Sequence, residues 1–90
     1  MNEFEVEASE EAEHQLARIW ISAGADRSAV VAAQHDAERK LAANPTKAGR
    51  HVAEGLYRLD VPPLVVYYTI LRAERIVRIT EIHYRLSGPR

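Results

Sequence analysis

The sequence holds no cysteine, one tryptophan, one phenylalanine and one methionine in 90 residues. Without cysteine there is no disulfide scaffold, no thiolate nucleophile and no cysteine-ligated zinc. The absence fits a reducing, cytoplasmic setting. Long apolar runs are missing too. The longest covers residues 64–71 and is interrupted by Thr69, whereas a helical membrane span takes about twenty apolar residues. The start, Met1-Asn2-Glu3-Phe4-Glu5, is acidic, where a secretory leader begins basic and continues apolar. No membrane association is therefore expected. The formal net charge is only −1, which argues against a uniformly basic nucleic-acid binder.

What is present is a core. Hydrophobic residues make up 47% of the chain, too many for a disordered segment. The length suits one domain spanning residues 1–90. No internal repeat, low-complexity segment or domain boundary is evident. The small net charge conceals a division. Residues 1–38 carry nine acids and two bases, net −7, whereas residues 39–90 carry ten bases and four acids, net +6. Such asymmetry points to charged faces rather than an evenly mixed surface.

Phe4, Val6 and Ala8 alternate with Glu5 and Glu7, the period of a half-buried strand. Ser9 is a fitting N-cap, and Glu10, Glu11 and Glu13 favour the positive end of a helix dipole. Ala12, Leu16, Ile19, Trp20 and Ala23 form an apolar stripe over a helix at 9–23, which Gly24 closes. Asp26 reads as the next N-cap. Val30, Ala33, Ala37 and Leu41 stripe a second helix over 27–43, ended by Asn44-Pro45. The short link at Gly24-Ala25 implies an antiparallel helix hairpin.

The period then changes to two. Residues 56–61 alternate, Pro62-Pro63 turns the chain, and residues 64–70 are apolar on both faces, as in a central strand. Arg72-Ala73-Glu74-Arg75 is a polar turn before a strand at 76–84. A short strand at 51–53 precedes these, and residues 87–90 are expected to fray. The class is α+β: an N-terminal strand, an antiparallel helix hairpin, then a three- to four-stranded antiparallel meander, with the helices on one face.

The order and spacing of these motifs resemble the RelE/ParE superfamily of type II toxins over residues 4–85. The match rests on the Ala-rich helix pair and on Leu41-Ala42-Ala43-Asn44-Pro45 followed by Gly49. It continues through Gly55-Leu56-Tyr57-Arg58-Leu59, the strand from Pro63 to Tyr68, Arg75-Ile76-Val77-Arg78-Ile79, and Ile82-His83-Tyr84-Arg85. The resemblance implies a growth-inhibiting toxin, as in plasmid-stabilisation modules, neutralised by a cognate antitoxin. RelE-like members are ribosome-dependent mRNA interferases, and ParE-like members are directed at DNA gyrase. A binding-only relative is the third possibility. Shared fold does not choose among them.

RNA cleavage by 2′-hydroxyl attack needs a proton acceptor, positive charge on the crowded phosphate, and a proton donor for the leaving oxygen. Carried over by position, the resemblance makes Arg58, His83 and Arg85 the candidate catalytic residues. Arg58 stands where the family pattern has a base, and Arg85 matches the terminal-strand arginine. Asp60 and Val65 stand where further bases are usual, and Asp60 would repel a phosphate. The tyrosine expected beyond Arg85 is not found among residues 86–90, and Tyr84 is an off-register substitute. The ending His83-Tyr84-Arg85 is similar to the His-x-Arg of ParE-like members. From the residues alone, His83 reads first as a plain surface or hydrogen-bonded histidine, and Arg58 with Asp60 as a solvated pair on one strand face. Tyr57, Tyr67 and Tyr68 read as packing residues. His14, His35, His51 and His83 are scattered without metal-ligand spacing. There is no Gly-rich phosphate loop. No metal and no cofactor is expected. A chain that exposes an apolar patch without its antitoxin is expected to self-associate.

Overall fold

A computed structural model describes residues 3–85; the tail expected to fray lies outside them. Strand β1 (Glu5–Ala8) leads into α1 (Glu10–Ala23), a turn of 3-10 helix at Gly24–Asp26, and α2 (Arg27–Ala43). A short helix α3 (Pro45–Ala48) precedes β2 (Arg50–Ala53), β3 (Leu56–Val61), β4 (Leu64–Leu71) and β5 (Ile76–Tyr84). The architecture is the expected α+β one, with a four-stranded antiparallel meander. Sheet order is β1-β5-β4-β3-β2. The placement of β1 is new: it lies parallel to β5 at the sheet edge, with Val6 beside Val77.

The helices form where their stripes and caps direct. Ser9 accepts from the Ala12 N–H at 3.0 Å and opens α1. Gly24 takes a positive φ of 59° at the other end. Val30, Ala33, Ala37 and Leu41 are all buried, so the small stripe of α2 sits on the sheet. The end of α2 returns to the chain start, where the Phe4 N–H donates to the Ala42 carbonyl at 2.9 Å. Asn44-Pro45 both stops α2 and starts α3. The Asn44 side chain accepts from the Lys47 N–H, and proline at the first turn lacks only an N–H that would have had no helical partner.

Two expectations change. Trp20 is 45% exposed rather than part of the buried stripe. It lies at the flank, and the guanidinium of Arg27 covers its ring at 4.3 Å from the centroid. Asp26 occupies the N-cap position of α2 but makes no capping bond. Its carboxylate instead accepts from the Tyr84 hydroxyl at 2.9 Å.

The core lies between the helices and one sheet face, with Leu59, Leu64, Val66, Tyr68, Val77, Ile79 and Ile82 buried against Ala12 and the α2 stripe. Ile79 and Ile82 are three apart, which strict alternation cannot bury together. A bulge resolves the conflict: Tyr67 pairs with Glu81 and Tyr68 with Ile79, so Thr80 is the extra residue. Side chains satisfy the polar groups of this segment. Gln15 accepts from the Ile82 N–H at 2.7 Å, Ser9 donates to the Thr80 carbonyl at 3.3 Å, and Thr80 donates to the Tyr67 carbonyl at 3.3 Å. Bulges re-aim the side chains that follow them. Here the bulge turns Ile82 and Tyr84 toward the helices and Glu81 and His83 toward the open sheet face. Among the described residues, no helix is long and apolar enough to cross a membrane.

Candidate functional site: a cleft on the open sheet face

The face opposite the helices is set by strand register. Arg58 on β3 lies beside Tyr67 on β4, and Asp60 beside Val65. Val65 lies beside His83 on β5, and Tyr67 beside Glu81. Arg85 follows β5, where its N–H donates to the Pro63 carbonyl at 2.7 Å. The three candidate residues therefore converge. Arg58, His83 and Arg85 line one shallow cleft of about 340 Å³, together with Val65, Tyr67 and Tyr84.

The charges in this cleft are largely spoken for. Arg58 Nε donates to Asp60 Oδ1 at 2.7 Å, and the arginine side chain is only 19% exposed against 52% for the aspartate. The Asp60 bond, opposed by burial, holds the guanidinium pKa still further above its ordinary range, so Arg58 carries a fixed charge and cannot act as a base. His83 Nε2 lies 2.9 Å from Glu81 Oε1. The same histidine ring meets Tyr67 edge-on, with centroids 5.8 Å apart. The Arg58 guanidinium stands 6.0 Å from the Tyr67 ring centroid. One row further along the sheet, Arg78 Nε donates to Glu7 Oε2 at 2.6 Å. Arg85 forms no ion pair among the described residues.

The arrangement is a floor of Tyr67 and Val65, walled by two carboxylate-tethered bases, with Arg85, which has no ion-pair partner among the described residues, at its end. Such a surface can grip an apolar or aromatic group and pair with a carboxylate or amide. As a phosphate site it is compromised, because Asp60 and Glu81 place negative charge beside the bases. Tyr84 is not an off-register substitute for a missing tyrosine. Its hydroxyl is bonded to Asp26 on the helix side. The family position beyond Arg85 lies outside the described residues. Tyr67 and Glu81 were missed as site residues. The signal for Tyr67 was its place two residues after Val65 on a strand apolar on both faces; Glu81 had none, because the bulge decides its direction.

Two tyrosines have perturbed hydroxyls. Burial raises the Tyr68 phenol above its ordinary 10.0; the hydroxyl donates to the Pro45 carbonyl at 2.6 Å. The Asp26 carboxylate, with some burial, raises that of Tyr84. A raised folded pKa gives stability that is fully present below the unfolded value and lost as pH rises through the folded one. Alkaline destabilisation should therefore set in above about pH 10. Ultraviolet phenolate titration should show a late component, reduced in Tyr84→Phe and in Tyr68→Phe.

Comparisons with known proteins agree with this fold. The model of the family described as the ParE toxin of type II toxin–antitoxin system, parDE, matches residues 6–86. No curated protein sequence matches the chain at a significant level. Among solved structures, the chain is similar to one from the RelBE2 toxin–antitoxin complex of Mycobacterium tuberculosis. That match has a TM-score of 0.80 and 17% identity, covering 97% of each chain. It is also similar to a chain of the archaeal RelE–RelB complex from Pyrococcus horikoshii, with TM-score 0.65 and 14% identity over 98% of this chain and 100% of that one. A chain of the chromosomal ParDE system of P. aeruginosa gives 0.59 and 12% over 96% and 100%.

Proposed function

The chain belongs to the ParE toxin family of type II toxin–antitoxin systems, and from that premise we propose that it arrests growth by gripping a protein target in the cytoplasm, DNA gyrase, rather than by cleaving RNA. A cognate antitoxin holds it in check, as the complexes of its structural relatives suggest. The observation that carries the gyrase reading is the Arg58–Asp60 pair at 2.7 Å. A nuclease needs Arg58 to face phosphate, and Asp60 both occupies its guanidinium and repels the substrate. A protein target can use the same pair as a hydrogen-bonding surface around Tyr67, with Arg85 free for a carboxylate.

A second reading is an mRNA interferase, and the convergence of Arg58, His83 and Arg85 in one cleft favours it. Induction of the chain in bacteria separates the two. The expected result is a DNA-damage response and loss of gyrase supercoiling activity, with translation continuing. Arg85→Ala should weaken that inhibition about tenfold, the scale of a lost interface anchor. Rapid loss of translation, abolished by Arg58→Ala and Arg85→Ala, would establish the interferase instead.

A further inference from the structure

We infer, on the premise of the gyrase reading, that Arg50 and Arg58 together form an anchor for an acidic side chain of the target protein, a carboxylate seated between their two guanidinium groups. Arg50 on β2 lies directly opposite Arg58 on β3, so the two side chains leave the sheet on the same face. Both line a second shallow cleft, of about 220 Å³, with Gly49 and Asp60. That cleft adjoins the first through Arg58, which lines both. A row of side chains therefore crosses the open face, from Arg50 through Arg58 and Tyr67 to Glu81.

For the chain by itself the pairing is unfavourable. Directly opposite residues on neighbouring strands have their Cβ atoms about 5 Å apart, and like charges there repel. A single carboxylate stands against the two guanidiniums. Asp60 accepts from Arg58 Nε at 2.7 Å, and Arg50 has no ion-pair partner among the described residues. Arg58 cannot swing away to relieve the repulsion, because its side chain is only 19% exposed and is held by Asp60. Arg50, at the exposed edge strand, adds positive charge that nothing around the cleft balances.

The chemistry of that excess selects the occupant. A guanidinium presents a planar fork of N–H donors that matches a carboxylate, often through two bonds at once. An acid between the arginines completes an alternating row: Arg50, the incoming carboxylate, Arg58 and Asp60. An RNA strand fits less well. Its charge repeats along the backbone, so a strand entering the cleft would also pass Asp60 and Glu81. One acidic side chain on a folded protein meets the arginines alone, and the residues beside it can lie on Tyr67.

The test uses the full chain, released from antitoxin, in gyrase supercoiling assays and in thermal unfolding. Arg50→Glu should weaken inhibition of supercoiling about tenfold or more, the scale of a lost interface anchor. The same variant should unfold about 1–8 °C higher, because repulsion across the strand pair becomes attraction. High salt should shrink that rise. A merely structural arginine would lose inhibition and stability together. Arg50→Lys keeps the charge without the planar fork, and its inhibition should fall between that of the unaltered chain and that of Arg50→Glu. An unaltered chain that leaves gyrase active removes the gyrase reading and the anchor with it. Inhibition that is present in the unaltered chain and unchanged in Arg50→Glu overturns the anchor alone. So does a melting temperature that falls in Arg50→Glu, or a loss confined to single-stranded RNA binding, which assigns the arginine pair to phosphate.

Discussion

Gly49→Ala should cost about 3 kcal/mol of folding stability or more, combining an overpacking penalty with the strain or loss of a buried hydrogen bond. The reason is space. Gly49 sits at φ −116° and ψ −164°, extended backbone open to any residue, so glycine is not needed there for its conformation. A methyl group at Gly49 would collide with the Arg58 carbonyl oxygen and lie 2.7 Å from the Tyr68 hydroxyl oxygen. Neither neighbour can retreat cheaply. The Arg58 carbonyl belongs to β3, which is held between β2 and β4. The Tyr68 side chain is fully buried, and its hydroxyl donates to the Pro45 carbonyl at 2.6 Å. In a domain of this size each kcal/mol lowers the melting temperature by about 4–8 °C, so a drop of roughly 12–24 °C is expected in a thermal unfolding curve. Tyr68→Phe removes one of the two oxygens that crowd the new methyl, the Arg58 carbonyl oxygen being the other. The double variant should therefore lose less than the sum of the two single losses. A Gly49→Ala protein within about 0.5 kcal/mol of the parent, the range of an ordinary surface substitution, would refute the close approach.

That close approach also marks the limits of sequence reading. The Asn44-Pro45 stop and the nearby Gly49 were visible as a pattern. Their reason was not, because the partners of Gly49 are Arg58 and Tyr68, brought to it only by folding. Local signals worked where the cause is local. The α2 stripe is buried at all four expected positions, and β4 is central with both Val65 and Val66 buried. The parallel pairing of β1 with β5 had no local signature, since it joins residues about seventy positions apart. Pro45 reads as a helix breaker in the sequence, yet the same proline begins α3, because its fixed φ suits both places. Trp20 sits next to Ile19 at the edge of the apolar stripe, and sequence spacing does not say which flank of a helix the sheet will cover.

In the cleft, the convergence of Arg58 and His83 follows from the meander register, and the Arg58–Asp60 pair from their spacing on one strand. The outward direction of His83 does not. Regular alternation from Val77 and Ile79 would aim it into the core, and only the bulge at Thr80 turns it outward. The same bulge brings Glu81 to His83, which adds the second carboxylate to the face.

Those two carboxylates are what should keep this face off RNA, and their removal should have a large effect. Asp60→Arg combined with Glu81→Gln is expected to raise affinity for single-stranded RNA about 10- to 100-fold at low salt. The change removes two negative charges and adds one positive, taking the formal net charge from −1 to +2. More important is where they act. Arg58 loses its 2.7 Å partner and His83 its 2.9 Å partner, so two existing bases become available beside the new arginine. Affinity for nucleic acid comes largely from phosphates neutralised and counterions released, with log K changing by about 0.7 per contact for each decade of salt on single strands. Two or three new contacts should therefore steepen the salt dependence by about 1.4–2. Both side chains are exposed at the altered positions, so the fold should survive, and the thermal transition checks that it does. Gyrase inhibition should fall in the same variant, because the target would meet arginine where it now meets a carboxylate. RNA affinity that stays flat while the protein remains folded would mean that the carboxylates do not set the choice of target, and the gyrase reading would lose its main support. A gain in RNA binding with no gain in RNA cleavage would place the barrier to nuclease activity in the proton-transfer groups, since bound phosphate without a positioned base and acid does not react.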